Sequence, residues 1–190
     1  MELKFISREE YDSKDEKFTE ETWKEEYPFY LLVPEGGSNY YGMVGCQEIC
    51  KELPNEIDHL FVAQGTTTTS CGLLLGLGEN TKLHAIPALK GFDAKGEMKK
   101  QLVLFLIDET TIQDYLDRVE VHSEAHFGGY GKWNQELIDF ILKCEKDYDL
   151  PLDKIYTGKA FYALMNWLEE QDFQTPQTVV FLHTGGLQNG

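Results

Sequence analysis

The form of the apolar runs limits most what this chain can fold into. YLLV (30–33), DHLFVA (58–63), KLHAI (82–86) and TVVFLH (178–183) are short, nearly unbroken apolar stretches. A half-exposed strand alternates apolar and polar residues, whereas an unbroken run needs cover on both faces. Segments with helical spacing lie between the runs, at 42–53, 69–77, 111–118, 133–148 and 159–171. The segment 101–108 is ambiguous by periodicity, and its position after the helix-forming stretch 95–100 predicts that the helix continues through it. VEVH (119–122) reads as a further strand. Residues 7–28, dense in charge with Phe18, Trp23 and Tyr27 at helix-like intervals, predict an exposed amphipathic helix. Together these predict an α/β fold, a mostly parallel twisted sheet with helices on both faces in three layers.

In such sheets ligands bind where strands end and helices begin. That rule selects three turns: PEGGSN (34–39), QGTTTTSCG (64–72) and TGGLQNG (184–190). In the second, Gly65 permits close approach to a ligand. The residues after it open a helix, whose first turn carries unpaired N–H groups and a partial positive charge. Thr66, Thr67, Thr68 and Thr69 add hydroxyl donors. One of these hydroxyls would serve as a helix cap worth about 1 kcal/mol, so spacing alone leaves a cap and an anion site equally open. The loop is not a nucleotide P-loop, because no Lys-Ser or Lys-Thr follows the glycine.

The 190 residues carry a formal net charge of −16. Such a surface repels phosphate backbones and anionic lipids, which argues against nucleic-acid and membrane partners. No apolar run approaches the roughly 20 residues that span a bilayer, and the charged N-terminus lacks a secretion-signal core. A soluble, cytoplasmic protein is expected. Cys46 and Cys50, spaced as half a metal site, have no completing pair, and all four cysteines read as free buried thiols. No metal site is expected. His59, His84, His122 and His126 show no ligand spacing, and His183 reads as a satisfied core histidine.

TTTTSCGL (66–73) resembles the pyridoxal-phosphate (PLP) cradle of the 1-aminocyclopropane-1-carboxylate (ACC) deaminase and D-cysteine desulfhydrase family, fold-type II enzymes similar to the tryptophan synthase β-subunit. Further motifs agree in the family's order: VPEGGSN (33–39), FGGYG (127–131), IYTGKA (155–160) and LHTGG (182–186). The resemblance covers nearly the whole chain. It implies one α/β domain over 1–190, corresponding to the C-terminal part of such an enzyme. The family's cofactor lysine, in a Gly-Asn-Lys type segment, and its Ser-Asn-His type substrate loop are not found here. The family also has Gly or Ser at one or both of the positions held by Thr67 and Thr68.

By this resemblance, Gly65 and Thr66 to Thr69 hold the cofactor phosphate, and Tyr156 and Tyr130 lie near a small amino-acid substrate. A phenol, with a pKa of about 10, acts there as an acid or orienter unless that value is lowered. Thr157 and Thr184 occupy positions where the deaminase branch has Glu and Leu and the desulfhydrase branch has hydroxyls. Two hydroxyls imply a neutral pyridine nitrogen and α,β-elimination from D-cysteine, with opening of a cyclopropane ring as the alternative. Lys159 is not the family's cofactor lysine, and its place in a first helical turn predicts a solvated or ion-paired side chain. Without that lysine, the chain alone is expected to be inactive, or to be a non-catalytic phosphate-ligand binder. Self-association, for instance as a homodimer, is expected of the chain made alone, since missing sheet or interface segments leave edges and apolar faces uncovered.

Overall fold

The structure, a computed structural model, describes residues 3, 5–13, 24–29 and 31–187. It divides into a unit over 1–34 and a larger unit over 35–190, where the sequence reading places a single domain. In the first unit, α1 (Arg8–Asp12) opens with a reciprocal cap: Glu10 N–H donates to Ser7 Oγ and Ser7 N–H to Glu10 Oε2. Most of the helix predicted over 7–28, with Phe18 and Trp23, lies outside the described residues. The strand predicted at 30–33 is not formed: Leu31, Leu32 and Val33 are in no strand and are exposed, and Tyr30 lies outside the described residues.

The second unit carries a four-stranded sheet in the order β3-β2-β1-β4, every pair parallel. Its strands are β1 (His59–Gln64), β2 (Lys82–Pro87), β3 (Val119–Val121) and β4 (Val179–Leu182). The helices are α2 (Tyr40–Glu48), α3 (Thr68–Gly76), α4 (Ala94–Leu102), α5 (Glu109–Asp117), α6 (Gln135–Tyr148) and α7 (Thr157–Glu169). Alternate residues of β1 face opposite layers. Leu60 and Val62 join Met43, Leu73, Met98, Ile112 and Leu116 from α2 to α5, while Phe61 and Ala63 join Ala160, Ala163 and Leu164 of α7. Burial on both faces is why the run is unbroken in sequence. β4, at the sheet edge, is only half-buried.

Side-chain caps fix where several helices start. Asn39 Oδ1 accepts from Gly42 N–H at 2.9 Å, Asp108 Oδ2 from Thr111 at 2.8 Å and Asn134 Oδ1 from Leu137 at 3.0 Å. α4 stops at Leu102, before the predicted end of its helix at 108. Val103 and Leu104 are half-exposed, and Asp108 starts a new helix instead. α2 and α3 pack closely because Gly72 and Gly76 face Cys46 and Cys50; a Cβ on Gly72 would stand 2.5 Å from Cys46 Cβ. Cys46 and Cys50 are therefore half-buried in a helix contact, and Cys71 and Cys144 are buried.

Candidate functional site

β1 ends at Gln64, and the threonine loop turns from it into α3. The four threonines differ. Thr67 and Thr68 are buried, Thr69 is half-buried and Thr66 is exposed. Thr67 occupies the cap position of α3 but makes no side-chain cap bond. Capping, the simpler use of these hydroxyls, is thus not how they are placed. Gln101 of α4 instead donates from Nε2 to Thr67 Oγ1 at 2.9 Å and to Ser38 Oγ at 2.8 Å. Both hydroxyls accept in these bonds, so neither uses its own proton there.

The glycine turn before α2 packs onto this loop. Gly36 and Gly37 have φ of 63° and 65°, a conformation that costs other residues energy. A Cβ on Gly36 would overlap the Thr66 side chain, 2.7 Å from its Cγ2. Gly65, on the other side, lies under Tyr156: a Cβ there would be 3.2 Å from the ring. The 35–39 and 64–72 turns therefore meet.

The rings of Tyr156 and Tyr130 meet edge to face at 6.0 Å. Burial, and then the neighbouring Tyr130 hydroxyl, push the Tyr156 phenol well above its ordinary pKa. Tyr156 accordingly stays protonated and can donate or orient, but cannot act as a base at neutral pH.

Asp153, which sequence reasoning did not single out, organises the YTGK turn. Its Oδ1 accepts from the backbone N–H groups of Ile155 and Tyr156, each at 2.7 Å. Its Oδ2 accepts from Thr157 N–H at 2.8 Å and Thr157 Oγ1 at 2.6 Å. Desolvation alone would raise this carboxyl, but the bonds from Thr157, Tyr156 and Ile155 outweigh it and hold the pKa below the usual carboxylate value. Gly186 of the HTGG turn packs against the same carboxylate, at a distance a Cβ would close to 2.8 Å from Oδ2. Thr157 is fully buried, and its one hydroxyl proton goes to Asp153. Thr184 is exposed on a turn whose glycines, 185 and 186, have φ of 88° and 92°. His183 is half-buried at the sheet edge rather than in the core, accepting from Gly185 N–H at Nδ1 and bonding Pro151 O through Nε2.

Lys159 corrects its sequence reading. It is 1% exposed, and Nζ donates to His126 O at 2.8 Å and Gly129 O at 2.9 Å. Burial lowers its pKa. The ammonium is buried from solvent and, among the described residues, has no ion-pair partner: it ties α7 to the FGGYG loop, where Phe127, Gly128, Gly129 and Gly131 all have positive φ. That loop carries Tyr130 to Tyr156.

The histidines also correct their reading. Parallel pairing brings His59, His84 and His122 into one chain, with His59 Nδ1 2.9 Å from His84 Nε2 and His84 Nδ1 2.9 Å from His122 Nε2. Desolvation, then the neighbouring imidazoles, push His84 down to about 3. No helix among the described residues is long and apolar enough to cross a membrane.

No family model matches the chain. A putative ACC deaminase of Pyrococcus horikoshii is 31% identical over 194 residues, covering 93% of this chain and 58% of that protein. A D-cysteine desulfhydrase of Yersinia pestis is 27% identical over 164 residues, covering 82% and 50%. A mitochondrial bifunctional D-cysteine desulfhydrase/ACC deaminase of Arabidopsis thaliana is 29% identical over 201 residues, covering 96% and 49%. The crystal structure of an ACC deaminase homologue superposes with a TM-score of 0.68 at 24% identity, covering 97% of this chain and 57% of that one, and so supports the fold. The chain spans about half the length of the curated relatives it matches. Over that shared stretch, ACC deaminases and D-cysteine desulfhydrases are homologues of this chain.

Proposed function

We propose that this chain provides the phosphate-holding part of a PLP-dependent lyase or deaminase, most like D-cysteine desulfhydrase. The proposed net reaction takes D-cysteine and water to pyruvate, ammonia and sulfide. The observation that carries the reading is the uncapped start of α3 beneath Thr66 and Gly36. Its donors are hydroxyls and amides, and the positive end of the helix faces the turn. These donors fit a phosphate. Thr66 to Thr69 and the first-turn amides would bind it, and Gly36 and Gly65 would let Thr66 and Tyr156 pack closely beside it.

When bound, PLP supplies an electron sink for charge developing at the substrate α-carbon. Tyr156, protonated and paired with Tyr130, would orient the substrate or donate from its hydroxyl. A neutral pyridine nitrogen needs a hydrogen-bond donor. Thr157 has no proton left to give, so Thr184 is the hydroxyl proposed to meet that nitrogen. Lys159 is engaged by two carbonyls, which favours binding without turnover for these 190 residues by themselves. The bifunctional name of the Arabidopsis relative keeps ACC ring opening as the second reading.

The test of cofactor binding is a melting experiment with PLP and with pyridoxal, which lacks the phosphate. PLP is expected to raise the transition temperature, pyridoxal is not, and Gly36→Ala should abolish the rise. Equal protection by both compounds contradicts phosphate recognition. For the substrate class, residues 1–190 joined to the preceding segment of a relative should release sulfide from D-cysteine faster than ammonia from ACC. The opposite order would favour the second reading.

A further inference from the structure

We infer that His84, His122 and Glu120 form a binding site for a transition-metal dication such as Zn²⁺, on the α7 face of the sheet, separate from the threonine loop. β2 and β3 pair parallel with His84 opposite Glu120, and Glu120 and His122 are two apart, so all three share one face. One imidazole nitrogen from each histidine and a carboxylate oxygen lie within 4.8 Å of one another.

The spacing of the Glu120 carboxylate suits a cation better than a hydrogen bond. Glu120 Oε2 is 3.8 Å from His84 Nδ1, and Glu120 Oε1 is 3.8 Å from His122 Nε2. Both distances are too long for hydrogen bonds. The carboxylate therefore faces the close His84–His122 pair without bonding to either ring. A tetrahedral cation with bonds of about 2.0–2.1 Å holds its ligands roughly 3.4 Å apart. The 2.9 Å nitrogen pair and the two 3.8 Å separations bracket that value.

The surroundings supply what a metal site needs beyond its ligands. With Nδ1 on the metal, His84 presents Nε2–H to His59 Nδ1 at 2.9 Å, the kind of outer bond that fixes a ligating ring and its tautomer. Phe61 stacks on the His84 ring at 4.0 Å, and Trp167 meets it edge-on at 4.9 Å. Glu124 stands 3.7 Å from the outer nitrogen of His122. Entry is open, because the Glu120 side chain is 53% exposed. Glu120, His122, Glu124 and Trp167 line a cavity of about 630 Å³. Two imidazoles and one carboxylate select a borderline transition metal over Mg²⁺ or Ca²⁺. Three protein ligands leave a fourth position toward the cavity for water or a small anion.

The test is titration of the metal-free 190-residue chain with Co²⁺, followed by displacement with Zn²⁺. Saturable one-to-one binding is expected, with visible bands of four-coordinate cobalt and no near-ultraviolet thiolate band. Glu120→Gln, at an exposed position, should weaken binding at least tenfold while circular dichroism stays unchanged. His122→Ala should abolish it. Absence of saturable binding, a thiolate band reporting Cys46 or Cys50, or equal affinity in Glu120→Gln would each overturn the inference. PLP binding plays no part in these readouts, so the result is independent of the proposed function.

Discussion

Asp153→Ala tests the idea that one carboxylate builds the YTGK turn. The substitution removes an acceptor for three backbone N–H groups and one hydroxyl. Ile155 and Tyr156 are only half-buried, so water can reach their amides and the loss resembles that of a helix cap, about 1 kcal/mol. Thr157 is fully buried, and its amide and hydroxyl have no access to water. A stranded buried polar group costs about 1–3 kcal/mol. The hydroxyl still accepts from residue 153's own N–H, so the lower half of that range applies to it. The sum is about 3–6 kcal/mol. Asp153→Asn keeps one oxygen for Ile155 and Tyr156 but turns a donor toward Thr157 N–H, and should cost about half as much. The assay is urea unfolding followed by tryptophan fluorescence, with the midpoint and slope both fitted. A cost below about 1 kcal/mol for Asp153→Ala, or equal costs for the two variants, would refute this account of the turn.

The same carboxylate gives a pH dependence. Its folded pKa is depressed, so its stabilisation is complete above the ordinary carboxylate range and is lost as pH falls below about 3.8 through the folded value. Stability measured in steps from pH 6 to 2 should fall less steeply at the acid end in Asp153→Asn than in the wild-type chain. Lys159→Met leaves His126 O and Gly129 O without their donor but also removes the desolvation cost of a buried ammonium. These effects oppose each other, so global stability should change by under about 2 kcal/mol, while amide exchange at 127–131 accelerates at least tenfold. Gly72→Ala puts a Cβ 2.5 Å from Cys46 Cβ and from Met43 O, forcing α2 and α3 apart. It should cost about 1–3 kcal/mol by overpacking, read as a lower thermal midpoint.

Much of the fold was legible in the sequence because burial on both faces leaves an unbroken apolar run. LFVA and LHAI become β1 and β2 within a residue or two of their predicted limits. YLLV has the same composition but no strand beside it among the described residues, and composition cannot reveal a missing partner. The 101–108 run failed differently: Asp108 starts a new helix, and its cap competes with continuation. At the site, the resemblance brought the glycine turns, the threonine loop and the tyrosines into view. Asp153 carried a readable signal, an Asp just ahead of a helix start, that was masked by the more familiar YTGK beside it. The burial of Lys159 depends on carbonyls 30 and 33 residues away. The histidine chain depends on the register of three strands, with its members 25 and 38 residues apart. No local pattern encodes those contacts.

The proposed function requires that the threonine loop and the glycine turn together hold the phosphate of the cofactor. Adding PLP to the isotopically labelled chain and following backbone amide resonances tests it directly. The account predicts saturable shifts concentrated at 36–39 and 65–71, reproduced in part by inorganic phosphate and absent with pyridoxal. Shifts centred elsewhere, or no saturable shift in those two segments, would contradict it.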